Sequence, residues 1–389
     1  MADDEYTDVT TTSWGSRIVG SFTGIIFGFL LFVAAFPLLW WNEGHSLHRI
    51  RTLDEGRNLV VGVAPDKADP ANNGKLIHVS AQASTDDILQ DALFGVRETA
   101  LKLQRVVEVY EWKETQSTQT HKNLGGSETQ ETTYAYDRTW SEKRIDSSEF
   151  KHRDGHENPA SMPYASEVFT APHILVGVFK PASSFVAKIN AFSDYPLSEQ
   201  TANAMNASLK NAFKLNGTEY FYGDPATPQI GALRVHYRII RPTEVSIIGK
   251  QNDSLIEPYY TRNGDIQLLA MGDMGADSMF AAAKDENMLM TWLIRLAGFI
   301  LMWLGSSLVL RPIAVLGDVV PFIGSIAGAG IGLVTGLVSL AASICVIAIA
   351  WLAYRPLIGG TLLVVAAGLL FGGGTKLIQK AKAELPHKK

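Results

Sequence analysis

The sequence predicts a multipass α-helical membrane protein of four spans, with a large extramembrane α+β domain of mainly antiparallel strands inserted between spans 1 and 2. Three observations predict it. Apolar residues pile up at 18–41 and 289–375, whereas 42–288 has the composition of a soluble domain. The apolar runs are long enough, at about 20 helical residues per crossing, for the ~30 Å hydrocarbon core of a bilayer. Within 42–288, short alternating segments rich in Val, Thr, Tyr and Trp read as half-buried strands. The partition explains a mean hydropathy of +0.07 in a chain with 19% charged residues.

Composition also excludes some chemistry. The net charge is -5 over 389 residues and no basic patch points to nucleic acid. The single cysteine, Cys345, lies in an apolar run, which excludes intrachain disulfides and a thiolate zinc site.

Residues 1–17 are polar and Thr-rich, so a disordered or loosely attached tail is expected. The first span covers 18–41. A cleaved signal peptide is the competing reading, but the apolar stretch is too long and no small-x-small site precedes WWNEG. Gly20, Gly24 and Gly28 recur every fourth residue, a spacing that lets a second helix approach closely. Trp14, Trp40 and Trp41 flank the run as interfacial anchors.

In the 42–288 domain, Asn58–Ala64 and Lys75–Ala83 read as short strands. Residues 98–115 and 131–146 form a long hairpin with a mobile polar tip around Gly125-Gly126. Its Tyr and Trp residues either pair across strands or make a patch facing a membrane or partner. A strand near Ile174–Phe179 precedes helices around Ser184–Phe192 and Glu199–Leu215. Strands follow at Glu219–Tyr222, Gly231–Ile240 and Glu244–Gly249, and a helix over Ala276–Asn287 leads to the second span. GKLIHVSA (74–81) and GALRVHYR (231–238) echo each other, through duplication or through chance between similar strand openings.

The second span, 289–310, carries Arg295 near its start. Mid-bilayer arginine costs about 2.5–3.5 kcal/mol on insertion scales, and about a dozen apolar neighbours offset it. An interfacial anchor is the favoured reading over an ion pathway. The run from Val319 to Ala353 is roughly 50 Å as one helix, more than one crossing and short for two. It is divided into an interfacial or re-entrant helix over 313–330 and a third span over 332–353. Gly324, Gly328, Gly332 and Gly336 form a second ladder here. The fourth span covers 357–373 and a basic tail, 374–389, follows. Positive-inside logic puts that tail and the N-terminus in the cytoplasm and the large domain in the periplasm or lumen; Arg49 and Arg51 argue the other way.

Candidate chemistry is sparse. His152, Asp154, His156 and Glu157 would suit zinc on a helix, but Gly155 and Pro159 favour a surface loop. GGGTK (372–376) is not a phosphate loop, and no GxSxG elbow occurs. Asp318 reads equally as a functional intramembrane acid or as a carboxylate at an interfacial helix N-terminus. Sequons at Asn206, Asn216 and Asn252 are too short to identify a host.

Several stretches carry a resemblance: NEG and LDEG (42–56), VEVYEWKET (107–115), ETTYAYDRTW (131–140), GHENPASM (155–162), GALRV (231–235), NMLMTWLIRLAGF (287–299) and WLAYRPL (351–357). In this order, from the first span to the last, the chain resembles the LUMA family, also called the transmembrane protein 43 family. The glycine ladder and DVVP agree with bacterial-type members more than animal ones. The resemblance implies a multipass protein with cytoplasmic termini, in the bacterial inner membrane, or in the endoplasmic reticulum and inner nuclear membrane if eukaryotic. It implies self-association and a role in membrane organisation, with emerin and lamins as partners only in a eukaryote. It carries no catalytic residues and no cofactor.

The expectation is therefore a non-enzymatic, oligomeric scaffold contacting membrane lipids, a second copy of itself and membrane or envelope proteins. The alternatives are a membrane-bound lipid or envelope enzyme using 152–157, and a transporter or channel component using Arg295 and Asp318.

Overall fold

A computed structural model describes residues 4–354, 360, 361 and 364, and only the backbone of 321–327. Apart from those three positions, the expected fourth span and basic tail lie outside the described residues. The chain divides into two compact units. One comprises residues up to Thr7, Thr52–Ser117 and Thr132–Ala283; the other comprises Asp8–Arg51, Thr118–Glu131 and residues from Lys284 onward.

Two sheets make up most of the first unit, with the strand ends Asp8–Thr12, Thr118–Lys122 and Glu128–Glu131 counted in the second. One has eight strands and includes, in spatial order, β1 (Glu5–Thr12), β4 (Glu128–Ser141), β3 (Lys102–Lys122), β7 (Leu233–Ile240), β6 (Glu219–Tyr222) and β5 (Phe213–Asn216). The other has seven and centres on β2 (Leu76–Ser84) paired antiparallel with β8 (Thr243–Asn252). Pairing is mostly antiparallel, as the alternation predicted. Val235 opposite Val107 and Ile247 opposite Val79 set the registers that turn apolar residues inward. Ile77, Val79, Val107, Val235, Val245 and Ile247 share one core with Phe94, Phe179 and Phe185.

Two expectations differ here. Residues 5–12 form a strand rather than a loose tail. Thr and Val favour a pleated edge, and the hydroxyls of Thr7 and Thr11 meet those of Thr133 and Thr129 at 3.2 and 3.4 Å. The helix over Glu199–Leu215 breaks into Glu199–Ala204 and Ala207–Lys210 and gives way to β5. Asn206 caps the second piece, and Phe213 turns into the core.

The second unit is dominated by helix. Among the described residues three helices are long and apolar enough to cross a membrane: α1 (Trp14–Leu59), α2 (Ala276–Gly317) and α3 (Pro321–Tyr354), the last over Gly328–Tyr354. The interval 313–330 holds the end of α2, a turn over 318–320 and the start of α3. Ala35, Leu39, Met302 and Val346 join the three helices at one core point. Gly28 and Gly305 let α1 and α2 touch backbone to backbone: a Cβ on either would lie 2.6 Å from the other's carbonyl oxygen. Between α2 and α3, Ser306 meets Ser339 at 3.0 Å and Ser307 meets Thr335 at 2.9 Å. Without water in hydrocarbon, such hydroxyl pairs supply association that apolar contact alone cannot.

Candidate functional site

The helical unit carries a polar cluster at each end of its apolar length. At 1.5 Å per residue, Arg17 and Glu43 stand roughly 39 Å apart along α1, close to the thickness of a whole bilayer.

At the first end, Arg295 of α2 donates from Nε and Nη2 to the two carboxylate oxygens of Glu43 on α1, each at 2.7 Å. This is the bidentate fork that arginine geometry favours. Trp351 of α3 donates its indole N–H to the same carboxylate. The Trp292 and Trp351 rings lie 4.7 and 5.7 Å from the guanidinium carbon. One carboxylate therefore ties three helices, and its side chain is only 2% exposed. The next polar layer extends the tie: Asn42 donates to the Thr291 carbonyl at 3.2 Å, while Thr291 and Asn287 donate to the Ser46 hydroxyl at 2.7 and 3.1 Å. A cavity of about 60 Å³ remains among Glu43, Ser46, Leu47, Arg295, Trp351 and Tyr354. Its volume exceeds that of one water.

At the second end, Asp318 in the α2–α3 turn is almost fully buried between two cations, Arg17 at 2.6 Å and Lys122 at 2.7 Å. Arg17 also meets Glu128 at 3.1 Å and donates to the Gly126 carbonyl at 2.5 Å. Lys122, Gly126 and Glu128 belong to the tip of the β3–β4 hairpin. Gly125 N–H donates to the Val319 carbonyl at 3.1 Å, and Trp14 donates to the Val315 carbonyl at 2.9 Å. Gly126 has φ +81°, and a Cβ there would lie 2.4 Å from the Trp14 ring. The tip expected to be mobile is thus held by charge, backbone and a glycine fit. It also groups 118–131, part of the expected extramembrane block 42–288, with the helices.

Of the residues singled out from sequence, Arg295 and Asp318 are both charge-paired. Gly28 packs within the chain, and a Cβ on Gly336 would lie 3.4 Å from the Trp303 ring. A Cβ on Gly24 would meet Leu308 at 4.0 Å, and Gly20, Gly328 and Gly332 have open space where a Cβ would be. The side-chain position of Gly324 lies outside the described residues. His152 and His156 stack on Tyr6 and Tyr136, with ring centroids 4.3 and 4.0 Å apart. His156 is buried with Nδ1 3.0 Å from the His152 carbonyl oxygen, while Asp154 and Glu157 are exposed. The four do not converge, and no cluster of three or more His, Cys, Asp or Glu is placed to hold a metal among the described residues. Burial, and then the Glu114 carboxylate that accepts its hydrogen bond, push the Tyr136 hydroxyl up to about 12.

Sequence reading missed Glu43, Arg17 and Lys122. Glu43 sits at the edge of the first apolar run and Arg295 at the edge of the second, a signal of opposite charges at matching depth. Nothing local marks Lys122 as a partner of Asp318.

The family profile described as Transmembrane protein 43 matches residues 109–356. Transmembrane protein 43 of Homo sapiens is 30% identical over 370 residues, covering 91% of this chain and 90% of the relative. The Mus musculus protein of that name is 30% identical over 348 residues, covering 86% and 85%. The Transmembrane protein 43 homolog of Drosophila melanogaster is 27% identical over 351 residues, covering 88% and 92%. No solved structure matches significantly.

Proposed function

Because the chain belongs to the transmembrane protein 43 family, we propose that it is a non-enzymatic membrane scaffold that assembles with further copies of itself through its helices. The observation that carries this reading is how the intramembrane charges are used. Arg295 and Asp318 face partners inside the helical unit, and those pairs support a role in fixing the helices against one another. A rigid bundle offers a second copy a pre-formed surface, which lowers the ordering cost of association. On α3, Gly328, Gly330 and Gly332 leave open space where a Cβ would be, although the Gly332 carbonyl accepts the Trp303 indole N–H at 2.9 Å. The enzyme alternative at 152–157 draws no support from the side chains, since two of the four face solvent and the two histidines serve in aromatic stacks.

The test is the mass of the particle in a native nanodisc, for the unmodified chain and for Gly328→Leu with Gly332→Leu. The scaffold reading expects a defined oligomer that falls apart in the double variant. A monomer in both would sink it, and an oligomer untouched by the change would move the contact off α3.

A further inference from the structure

We infer that α1 and α3 hold one acyl chain of a membrane phospholipid in a slot just inside the Glu43 end of the helical unit. This rests on reading α1–α3 as membrane helices.

Phe36, Pro37 and Trp40 of α1 face Ala342, Cys345 and Ile349 of α3 across a void of about 560 Å³. Val346, part of the point where the three helices meet, lies at its floor. Close-packed protein does not leave apolar space of this size. The void has room for many waters, but each needs about three polar partners and no wall residue carries a charge. Phe36, Trp40 and Ile349 are exposed at the rim, so the slot opens on the face that lipid covers in a membrane protein. Pro37 also lacks the N–H that would bond the Val33 carbonyl, so α1 misses a helical rung at the wall of the slot.

Length and depth select the occupant. At one end the Trp351 indole donates to Glu43, and Tyr354 packs on Gly44, where a Cβ would lie 2.8 Å from the hydroxyl oxygen. At the other, Phe32 and Ala35 of α1 join Ala342 and Val346 of α3 in the three-helix core. The open seam is about two turns long, and Ala342 to Ile349 spans roughly 10 Å. A helix from a second copy, about 10–12 Å across, needs an uninterrupted face to pack. A single hydrocarbon chain needs only this slot. Trp40 and Ile349 lie within a turn of Glu43 and Trp351. The slot therefore starts beside the polar cluster and runs into the upper half of one leaflet, where an acyl chain leaves its headgroup. Gly328 and Gly332, the open positions of the proposed oligomer surface, lie further along α3, so the two sites are separable.

The test uses the full chain in phosphatidylcholine/phosphatidylglycerol vesicles that include a phosphatidylcholine with a diazirine midway along one acyl chain. Illumination is expected to concentrate crosslinks on residues 36–40 and 342–349, above the level at Leu337 and Val338, which are exposed elsewhere on α3. After exchange into mild detergent, native mass spectra are expected to retain one phospholipid per chain. Ile349→Trp and Cys345→Phe, which fill the slot from its rim and its wall, should abolish both signals. Val338→Trp, which adds bulk outside the slot, should abolish neither. Slot labelling no stronger than that at Leu337 and Val338 overturns the inference, as does retained lipid that survives both filling variants. A Cys345–Cys345 disulfide between two copies in place of slot labelling would give the slot to a second copy and overturn it too. Absence of crosslinks from all three helices would instead remove the membrane reading on which the inference stands.

Discussion

The two ends of the helical unit solve the same problem with different parts. Each buries a carboxylate near the limit of an apolar helix run, where an unpaired charge would be prohibitive. At the Glu43 end the partners are all helical: Arg295 and Trp351 arrive from α2 and α3, and the cluster is complete once the helices pack. At the Asp318 end the helices supply one cation, Arg17, and the second comes from a hairpin whose strands belong to a β-sheet. The first end is a helix-packing device. The second couples helix packing to a β-element.

That contrast can be broken at its stronger end first. Arg295→Ala leaves Glu43 buried without its ion pair, and loss of one partner of a buried pair costs about 3–5 kcal/mol. Folded protein recovered from membranes and the midpoint of denaturant unfolding should both fall sharply. Asp318→Asn removes two charge-assisted hydrogen bonds of about 1.5–3 kcal/mol each in favourable cases, but Arg17 keeps Glu128. The helices should persist in far-UV circular dichroism while residues 118–131 become open to protease. Gly126→Ala should act on the same latch, through strain of about 1–3 kcal/mol at positive φ and the clash with Trp14. Gly125→Ala carries the strain alone, since a Cβ there meets open space, and should open the tip less.

The smallest effect at neutral pH lies away from both ends, at Tyr136. Its pKa is raised to about 12 by burial and by Glu114. A raised tyrosine pKa contributes stability that is fully present below the ordinary value of about 10 and is lost as pH rises through about 12. Ultraviolet titration of tyrosinate should therefore show several late groups, since burial also raises Tyr195, Tyr220 and Tyr237, and Tyr136→Phe should remove one of them. A late population left unchanged by Tyr136→Phe would contradict the packing of that residue.

The sequence makes the large divisions legible because they rest on period and length. Three apolar helices and an antiparallel sheet domain follow from runs and alternation that survive any tertiary context. The hairpin was legible too, although its strands extend further toward the tip than the polar composition suggested. Cross-strand Thr pairing sustains polar residues in a sheet, which hydropathy alone does not register. The site was half legible. Arg295 and Asp318 stood out as charges beside apolar runs, but each admitted two readings because the partner decides between them. Glu43 is 252 residues from Arg295, and Lys122 is 196 from Asp318. Local pattern holds no information about such pairings. The glycine ladders show the same limit: equal spacing concealed that the Cβ position of Gly28 is filled by α2 whereas those of Gly328 and Gly332 are open.

The most direct test of the account is a double-mutant cycle across Glu43 and Arg295, with unfolding measured in one nanodisc composition for the unmodified chain, Glu43→Gln, Arg295→Gln and the pair. A lock predicts strong non-additivity: each single change costs more than the double, because the double strands no buried charge. Additive costs, within about 0.5 kcal/mol, would mean that the two side chains act independently, and the helices would have to be held together by something else.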